Sequence, residues 1–137
     1  MKKQKQILLV EDDKIDVLTI KKALKELEIQ NELSVAEDGE QALAWLEAHR
    51  KNLPGLILLD LNMPKINGLE LLKILKEDPV YKVIPVVILT TSEDDEDRLK
   101  SFELSVAGYM IKPYRYEDFL QMMEVIKGYW RTSKLAY

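Results

Sequence analysis

The sequence predicts an α/β domain in which helices cover both faces of a parallel sheet. Apolar runs of strand length occur at 7–10, 56–59 and 86–89, as expected for strands that are buried on both faces. Segments with the apolar spacing of amphipathic helices separate these runs. The alternation of strand-like and helix-like segments indicates parallel strands joined by right-handed crossovers.

The first two strand–helix units extend to about residue 50. Acidic residues follow the strand at 7–10, and a helix comes next. Its apolar residues are three or four positions apart: Val17, Ile20, Leu24 and Leu27. Residues 32–36 predict a weaker, half-polar strand at a sheet edge. Asp38-Gly39 indicates a turn, and apolar residues within 42–46 predict a second helix that ends near Arg50.

The third unit begins after Pro54-Gly55, which breaks the chain before the central strand at 56–59. The segment NMPKING then has the composition of a turn, because Pro64 cannot continue a strand ladder and Asn67-Gly68 tolerates a positive φ. A third helix with an apolar side formed by leucines follows, and Asp78-Pro79 stops it. Those leucines are Leu69, Leu72 and Leu75.

The last two units follow Pro85. The strand at 86–90 ends on Thr90, and Ser92 is predicted to cap the fourth helix, since hydroxyl side chains suit that position. A short strand at 108–111 ends at Lys112-Pro113. The fourth helix has a narrow apolar stripe: Leu99, Phe102 and Val106. The fifth helix has an apolar side with spacings of four, three and four: Phe119, Met123, Ile126 and Trp130.

These five units predict a single domain over residues 1–137, with a core at about 5–130 and a tail without periodicity at 131–137. The weak second strand belongs at an edge, and the apolar first and third strands belong at the centre. Those positions favour the flavodoxin-like, doubly wound (βα)5 arrangement with strand order 2-1-3-4-5.

Composition narrows the function classes. The formal charge of −4 argues against a general nucleic-acid or anionic-membrane surface. The chain has no cysteine, which excludes disulfides, thiolate catalysis and cysteine-ligated metals. It also has no apolar run long enough to span a membrane. We therefore expect a cytoplasmic protein.

Polar side chains stand at the carboxyl ends of the predicted strands, where open α/β sheets bind their ligands. In strand order 2-1-3-4-5, Glu11, Asp12 and Asp60 converge, with Thr90 and Lys112 beside them. Two carboxylates about 4 Å apart repel by about 4 kcal/mol at an effective dielectric of about 20, so a proton or a cation must neutralise them. Oxygen ligands at a partly open site suit Mg²⁺. Zinc is disfavoured, because the one histidine, His49, lies at the far end of helix two.

A cation, a lysine and a hydroxyl around one carboxylate predict phosphoryl transfer. Asp60 can act as the nucleophile, while Mg²⁺, Lys112 and Thr90 offset charge on the phosphoryl oxygens. The product would be an acyl phosphate on Asp60.

Four motifs, taken in order, resemble the receiver domain of response regulators in two-component signalling, including the chemotaxis regulators: ILLVEDD, LLDLNMPKINGLELL, PVVILTTS and GYMIKPY. The resemblance implies that Asp60 is the phosphoacceptor and that Asn62 provides a backbone carbonyl to the metal bound by Glu11, Asp12 and Asp60. It implies that Thr90 and Tyr109 form a switch. It also implies a cis peptide bond at Lys112-Pro113.

Within that family the chain is most similar to stand-alone regulators of phytochrome-like histidine kinases. The features are Asp16, the phrase LPGLILLDLNMP, the sequence TTS and an aromatic last helix that includes Trp130. The resemblance implies a phosphorelay protein that accepts phosphate from a histidine kinase with Mg²⁺ as cofactor. The phosphorylated protein would pass the signal to a downstream protein partner or to a phosphotransfer protein. It would catalyse only its own phosphorylation and dephosphorylation.

Other interpretations remain open at this point. A Mg²⁺-dependent aspartyl-phosphate phosphatase would need a second acid where Asn62 stands. A receiver-like binding module that is independent of phosphorylation would not need the complete site. Tyr109 is equally well explained as packing on an edge strand. A homodimer is a further option, through the apolar surface of Tyr114, Tyr116, Trp130 and the tail.

Overall fold

The computed structural model describes residues 5–63 and 65–137. Five parallel strands form one sheet in the order β2-β1-β3-β4-β5, which confirms the predicted order. The strands are β1 (Ile7–Val10), β2 (Leu33–Ala36), β3 (Leu56–Leu59), β4 (Val86–Thr90) and β5 (Gly108–Ile111). The helices are α1 (Lys14–Glu26), α2 (Gly39–Ala48), α3 (Gly68–Glu77), α4 (Asp95–Glu103) and α5 (Tyr116–Thr132), with a 3-10 turn at Tyr81–Val83.

The sheet separates two apolar layers, because successive strand residues point to opposite faces. One layer packs helices α2 and α3 on the sheet through residues such as Leu46, Ile57 and Leu72. The other packs α1 and α5 through residues such as Leu24 and Met123. Full burial of each large aliphatic side chain stabilises the fold by about 1.5–3 kcal/mol, so both faces contribute to holding the strand ends in place.

Short polar side chains begin four of the helices by accepting hydrogen bonds from otherwise unpaired backbone N–H groups. Asp13 caps α1, Asp38 caps α2 and Asn67 caps α3 in a capping box with Glu70. The predicted turn at Asp38-Gly39 is therefore the start of α2. Ser92 was predicted to cap α4, but Asp94 does so: its side chain accepts from the N–H groups of Glu96 and Asp97.

The apolar stripe predicted for α4 is wrong. Leu99 and Phe102 are 61% and 52% exposed, and only Val106, which lies beyond the helix, is buried. In α5 the prediction is confirmed, since Phe119, Met123, Ile126 and Trp130 are all buried. Burial of Trp130 removes it from the apolar surface that was considered for a homodimer.

The turn in NMPKING includes Pro64, which lies outside the described residues. On its far side Lys65 has a φ of 61°, a left-handed conformation that is uncommon for a residue with a side chain. Its ammonium lies 3.6 Å from Asp38 and 3.8 Å from Glu40, and these ion pairs tie the loop after β3 to the start of α2. Within the described residues, no helix is both long enough and apolar enough to cross a membrane.

Candidate functional site

The register of β1 and β3 brings two carboxylates side by side. Val10 lies opposite Leu59, so the next residues, Glu11 and Asp60, leave their strands at the same level. The backbone N–H of Asp60 donates to the carbonyl of Val10 at 3.1 Å, which fixes this relationship. Both acids are buried, with Glu11 2% and Asp60 6% exposed.

Asp12 completes a cluster of three acids. Glu11, Asp12 and Asp60 each offer one oxygen, and these atoms all lie within 4.8 Å of one another. Asp12 is exposed, so the cluster opens to solvent. Three carboxylate oxygens with room for water are a donor set that fits a hard divalent cation such as Mg²⁺.

Lys112 supplies positive charge to this cluster. Its ammonium lies 2.5 Å from Oε1 of Glu11, 2.7 Å from Oδ2 of Asp16 and 3.9 Å from Oδ2 of Asp60. The side chain is only 9% exposed. Its backbone N–H donates to the carbonyl of Thr90, which anchors the lysine to the end of β4.

Burial and neighbouring charges shift the pKa values of Glu11 and Lys112, the two groups of the central ion pair. Burial raises the pKa of Glu11 to about 7, the hydrogen bond from Lys112 opposes that rise, and the negative charge of Asp60 adds to it. Burial lowers the pKa of Lys112, but its hydrogen bonds to Asp16 and Glu11 and the charge of Asp60 outweigh that effect, and its pKa is raised. Lys112 is therefore a permanent ammonium at neutral pH.

The contact between Asp16 and Lys112 was not predicted from the sequence, where Asp16 only marked the resemblance to phytochrome-type regulators. Asp16 lies in the first turn of α1, four residues after Asp12, on the helix that leaves the end of β1. Its place in the first turn of the helix that directly follows the site acids was the available signal, because that turn begins next to the site.

Thr90 and Tyr109 both bond to the backbone of Ser92. The fully buried Thr90 hydroxyl at the end of β4 accepts from the N–H of Ser92 at 3.3 Å. Half-buried Tyr109 on β5 donates from its hydroxyl to the carbonyl of Ser92 at 3.0 Å, and burial raises its pKa. One residue of the β4–α4 loop thus connects the hydroxyl next to the site with an aromatic side chain on the outer strand.

Asn62 is exposed, and its backbone N–H donates to Oδ1 of Asp60 at 3.3 Å. Gly68, at the start of α3, packs directly against the backbone of Asp60 and Leu61. No cis peptide bond occurs among the described residues, so Lys112-Pro113 is trans, and the cis bond implied by the resemblance is not observed.

Comparison with known proteins gives a consistent family. The model of the response regulator receiver domain matches residues 7–124. Response regulator Rcp1 of Synechocystis sp. is 42% identical over 130 residues, which cover 92% of this chain and 88% of Rcp1.

Two solved structures extend the likeness over nearly the whole chain. The structure of phosphorylated RcpA, a cyanobacterial phytochrome response regulator, has a TM-score of 0.90 at 37% identity and covers 98% of this chain and 99% of RcpA. The Mn²⁺-bound form of Rcp1 has a TM-score of 0.87 at 40% identity, with 97% of this chain and 99% of Rcp1 covered. Because the family model, the relative and the folds agree, the chain belongs to the response regulator receiver domain family of two-component signalling.

Proposed function

We propose that Asp60 accepts a phosphoryl group from a histidine kinase in the cytoplasm, with Mg²⁺ as cofactor, and that the protein thereby switches a protein-interaction surface. The observation that carries this proposal is the meeting of three carboxylates and the Lys112 ammonium around the buried Asp60. A purely structural ion pair would need one acid, whereas this site has an excess of negative charge.

In the transfer, a carboxylate oxygen of Asp60 attacks the phosphorus of a phosphohistidine. A P–O bond forms, the P–N bond breaks, and the imidazole, which carries a proton on its other ring nitrogen, leaves with the electron pair as a neutral ring. Lys112 is 3.9 Å from Oδ2 of Asp60, close enough to move onto a phosphoryl oxygen and offset its charge. The backbone N–H of Asn62, already on Oδ1 of Asp60, holds the carboxylate in orientation.

Mg²⁺, held by Glu11, Asp12, Asp60 and the backbone carbonyl of Asn62, would neutralise charge that develops on the transferred group. The donor set on this chain consists of carboxylates that meet within 4.8 Å. The Mn²⁺-bound form of the relative Rcp1 supports a divalent cation here. The protein would act on itself only, in its own phosphorylation and dephosphorylation.

The switch would use the loop after β4. An added phosphoryl group, with about −1.5 to −2 charges, attracts the hydroxyl of Thr90. Thr90 would then release the N–H of Ser92, and Tyr109 would leave the carbonyl of that residue and turn inward. The surface that changes consists of α4, β5 and α5, where Leu99 and Phe102 are exposed for a partner.

The relatives support a phytochrome-like kinase as the phosphodonor, because RcpA is a cyanobacterial phytochrome response regulator. The downstream partner would be a protein or a phosphotransfer protein. A second copy of the chain is an alternative partner, for which fully exposed Tyr114 offers contact area.

The proposal is tested by intact mass after incubation with Mg²⁺ and acetyl phosphate. We expect one added phosphoryl group, which disappears with chelator and in Asp60→Asn. Asp78→Asn, which removes an acid far from the site on the loop after α3, is the matched control and should still gain the group. Absence of the adduct in the unmodified chain, or its persistence in Asp60→Asn, would contradict the proposal.

A further inference from the structure

Three carboxylates surround the ammonium of Lys112, and they are not equivalent. Glu11 at 2.5 Å and Asp60 at 3.9 Å belong to the cluster that fits a divalent cation. Asp16 at 2.7 Å is outside that cluster. Among the described residues, Asp16 is the one carboxylate that contacts Lys112 without belonging to the cluster of Glu11, Asp12 and Asp60.

A cation bound to the cluster changes the balance around Lys112. Oxygens of Glu11 and Asp60 would then be shared with a double positive charge, which attracts them away from the ammonium and repels the ammonium itself. Asp16 keeps its full charge for Lys112 in that state. Without Asp16, nothing described on the solvent side of the lysine would hold it next to Asp60.

We propose that Asp16 is a positioning residue, which holds the Lys112 ammonium next to Asp60 when a divalent cation engages Glu11 and Asp60. This inference rests on the proposed phosphoryl transfer at Asp60 and deepens it. The lysine would approach a phosphoryl oxygen from a fixed place rather than from a mobile ensemble, and orientation of this kind lowers the barrier to transfer.

The backbone around Asp16 is well suited to this role. Its N–H donates to the side chain of Asp13, the N-cap of α1, at 3.1 Å, so the first turn of the helix is fixed. At the other end, the backbone of Lys112 is fixed by the carbonyl of Thr90 at 2.8 Å. The Asp16 side chain is 35% exposed and that of Lys112 is 9% exposed. Asp16 therefore lies between the buried ammonium and solvent.

Asp13 provides a control for the loss of one negative charge near the site. Asp13 is an exposed acid in the same loop, and its side chain caps α1 through the N–H groups of Ile15 and Asp16. Asp13→Ser removes one negative charge near the site and retains a capping residue. Asp16→Asn removes the charge that contacts Lys112, and Asp16→Glu restores a carboxylate.

The first measurement follows the ammonium directly, by the NMR signal of its 15N-labelled Nζ in the Mg²⁺-loaded protein without any phosphodonor. We expect a protected, slowly exchanging signal in the unmodified protein, in Asp13→Ser and in Asp16→Glu, and its loss in Asp16→Asn. A Lys112 signal that stays equally protected in Asp16→Asn would overturn the inference.

The second measurement is the rate constant of phosphorylation by acetyl phosphate at saturating Mg²⁺. We expect Asp16→Asn to be slower by about tenfold, with Asp16→Glu restoring most of the rate and Asp13→Ser close to the unmodified protein. Equal slowing in Asp13→Ser would show a general charge effect and overturn the positioning role. A tenfold loss of Mg²⁺ affinity in Asp16→Asn would do so as well, because Asp16 would then act on the metal.

Failure of the proposed function is distinguishable from failure of this inference. If the unmodified protein takes no phosphoryl group, the phosphoryl-transfer proposal is wrong. The NMR signal of Lys112, which needs only Mg²⁺, then still decides whether Asp16 holds the ammonium.

Discussion

The carboxylate of Glu11 and the ammonium of Lys112 form a buried ion pair at 2.5 Å, with side chains 1% and 9% exposed. Because both partners are withdrawn from water, the charge of each depends on the other. Glu11 also belongs to the acidic cluster with Asp12 and Asp60. Any cation that binds the cluster therefore competes with Lys112, and also with a proton, for Glu11.

The competition with a proton predicts how Mg²⁺ affinity varies with pH. Burial raises the pKa of Glu11 to about 7, so below that pH the carboxyl is mostly protonated and must lose its proton to bind the cation. We expect the affinity to be constant above about pH 8 and to fall by up to about tenfold per pH unit below pH 7. Calorimetric titration at pH 6, 7 and 8 measures this. Glu11→Gln should bind weakly at every pH, and an unchanged affinity from pH 6 to 8 in the unmodified protein would contradict the prediction.

The same shift makes the metal-free fold sensitive to pH. The pKa of Glu11 is about 7 in the folded protein against 4.5 for an ordinary glutamate exposed to water, so the folded state binds this proton more tightly than the unfolded state. The resulting stability is fully present below about pH 4.5 and is lost as pH rises through about 7. In chelator, we expect Glu11→Gln to gain about 2–3 kcal/mol relative to the unmodified protein between pH 5 and pH 8. Urea denaturation at both values measures it, and a difference independent of pH would refute the assignment.

The fold could be predicted from sequence because its signals are local. Apolar runs and helical spacing give each element, and the weak strand at Leu33–Ala36 gives the edge. The site followed from topology, because residues after parallel strands meet at one side of the sheet. Glu11, Asp12, Asp60 and Lys112 do lie together.

The features that could not be predicted from the sequence depend on which of several neighbouring residues makes a contact, or on contacts between distant parts of the chain. Both Ser92 and Asp94 are good N-caps, and the hydroxyl of Ser92 is instead used to donate to Asp97 at 2.7 Å. The spacing of Leu99 and Phe102 fits an amphipathic helix, yet periodicity does not reveal whether another element covers that side. The contact between Asp16 and Lys112 spans 96 positions, and no local pattern encodes it.

Gly68 leaves no room for a side chain, because backbone atoms of Asp60 and Leu61 lie where a Cβ would stand. A Cβ there would collide with the carbonyl oxygen of Asp60 and would lie 2.5 Å from Cα of Leu61. These are backbone atoms that cannot move without displacing Asp60, the proposed phosphoacceptor. We expect Gly68→Ala to destabilise the protein by about 2 kcal/mol or more and to slow phosphorylation by acetyl phosphate. Urea denaturation and intact mass measure the two effects.

Gly128 provides the matched control. It is exposed inside α5, and a Cβ there would meet no atom within 4 Å. Alanine is favoured over glycine in a helix interior, so Gly128→Ala should stabilise the protein by about 0.5–1 kcal/mol and leave phosphorylation unchanged. Equal effects of the two substitutions would show that the space at Gly68 is not limiting.

Trp130 packs the end of α5 against the sheet at the amino ends of the strands, whereas the acidic cluster lies at their carboxyl ends. Its indole N–H donates to the carbonyl of Gly55 at 3.1 Å, and the residue is 7% exposed. Gly55 immediately precedes β3, so this bond ties the last helix to the strand that ends at Asp60. Trp130→Phe would keep an aromatic ring but leave that carbonyl without its donor and open space in the core.

We therefore expect Trp130→Phe to lower the free energy of unfolding by about 1–3 kcal/mol. Phosphorylation of Asp60 under native conditions should not change, because the substitution is a full strand length from the acids. Trp45→Phe is the comparison: this residue of α2 is only half-buried at the margin of the core and stacks on His49 at 3.8 Å between ring centroids, so its substitution should lower the free energy of unfolding by less. Urea denaturation followed by the remaining tryptophan measures both variants. A larger cost for Trp45→Phe, or a loss of phosphorylation in folded Trp130→Phe, would contradict a purely structural role for the indole of Trp130.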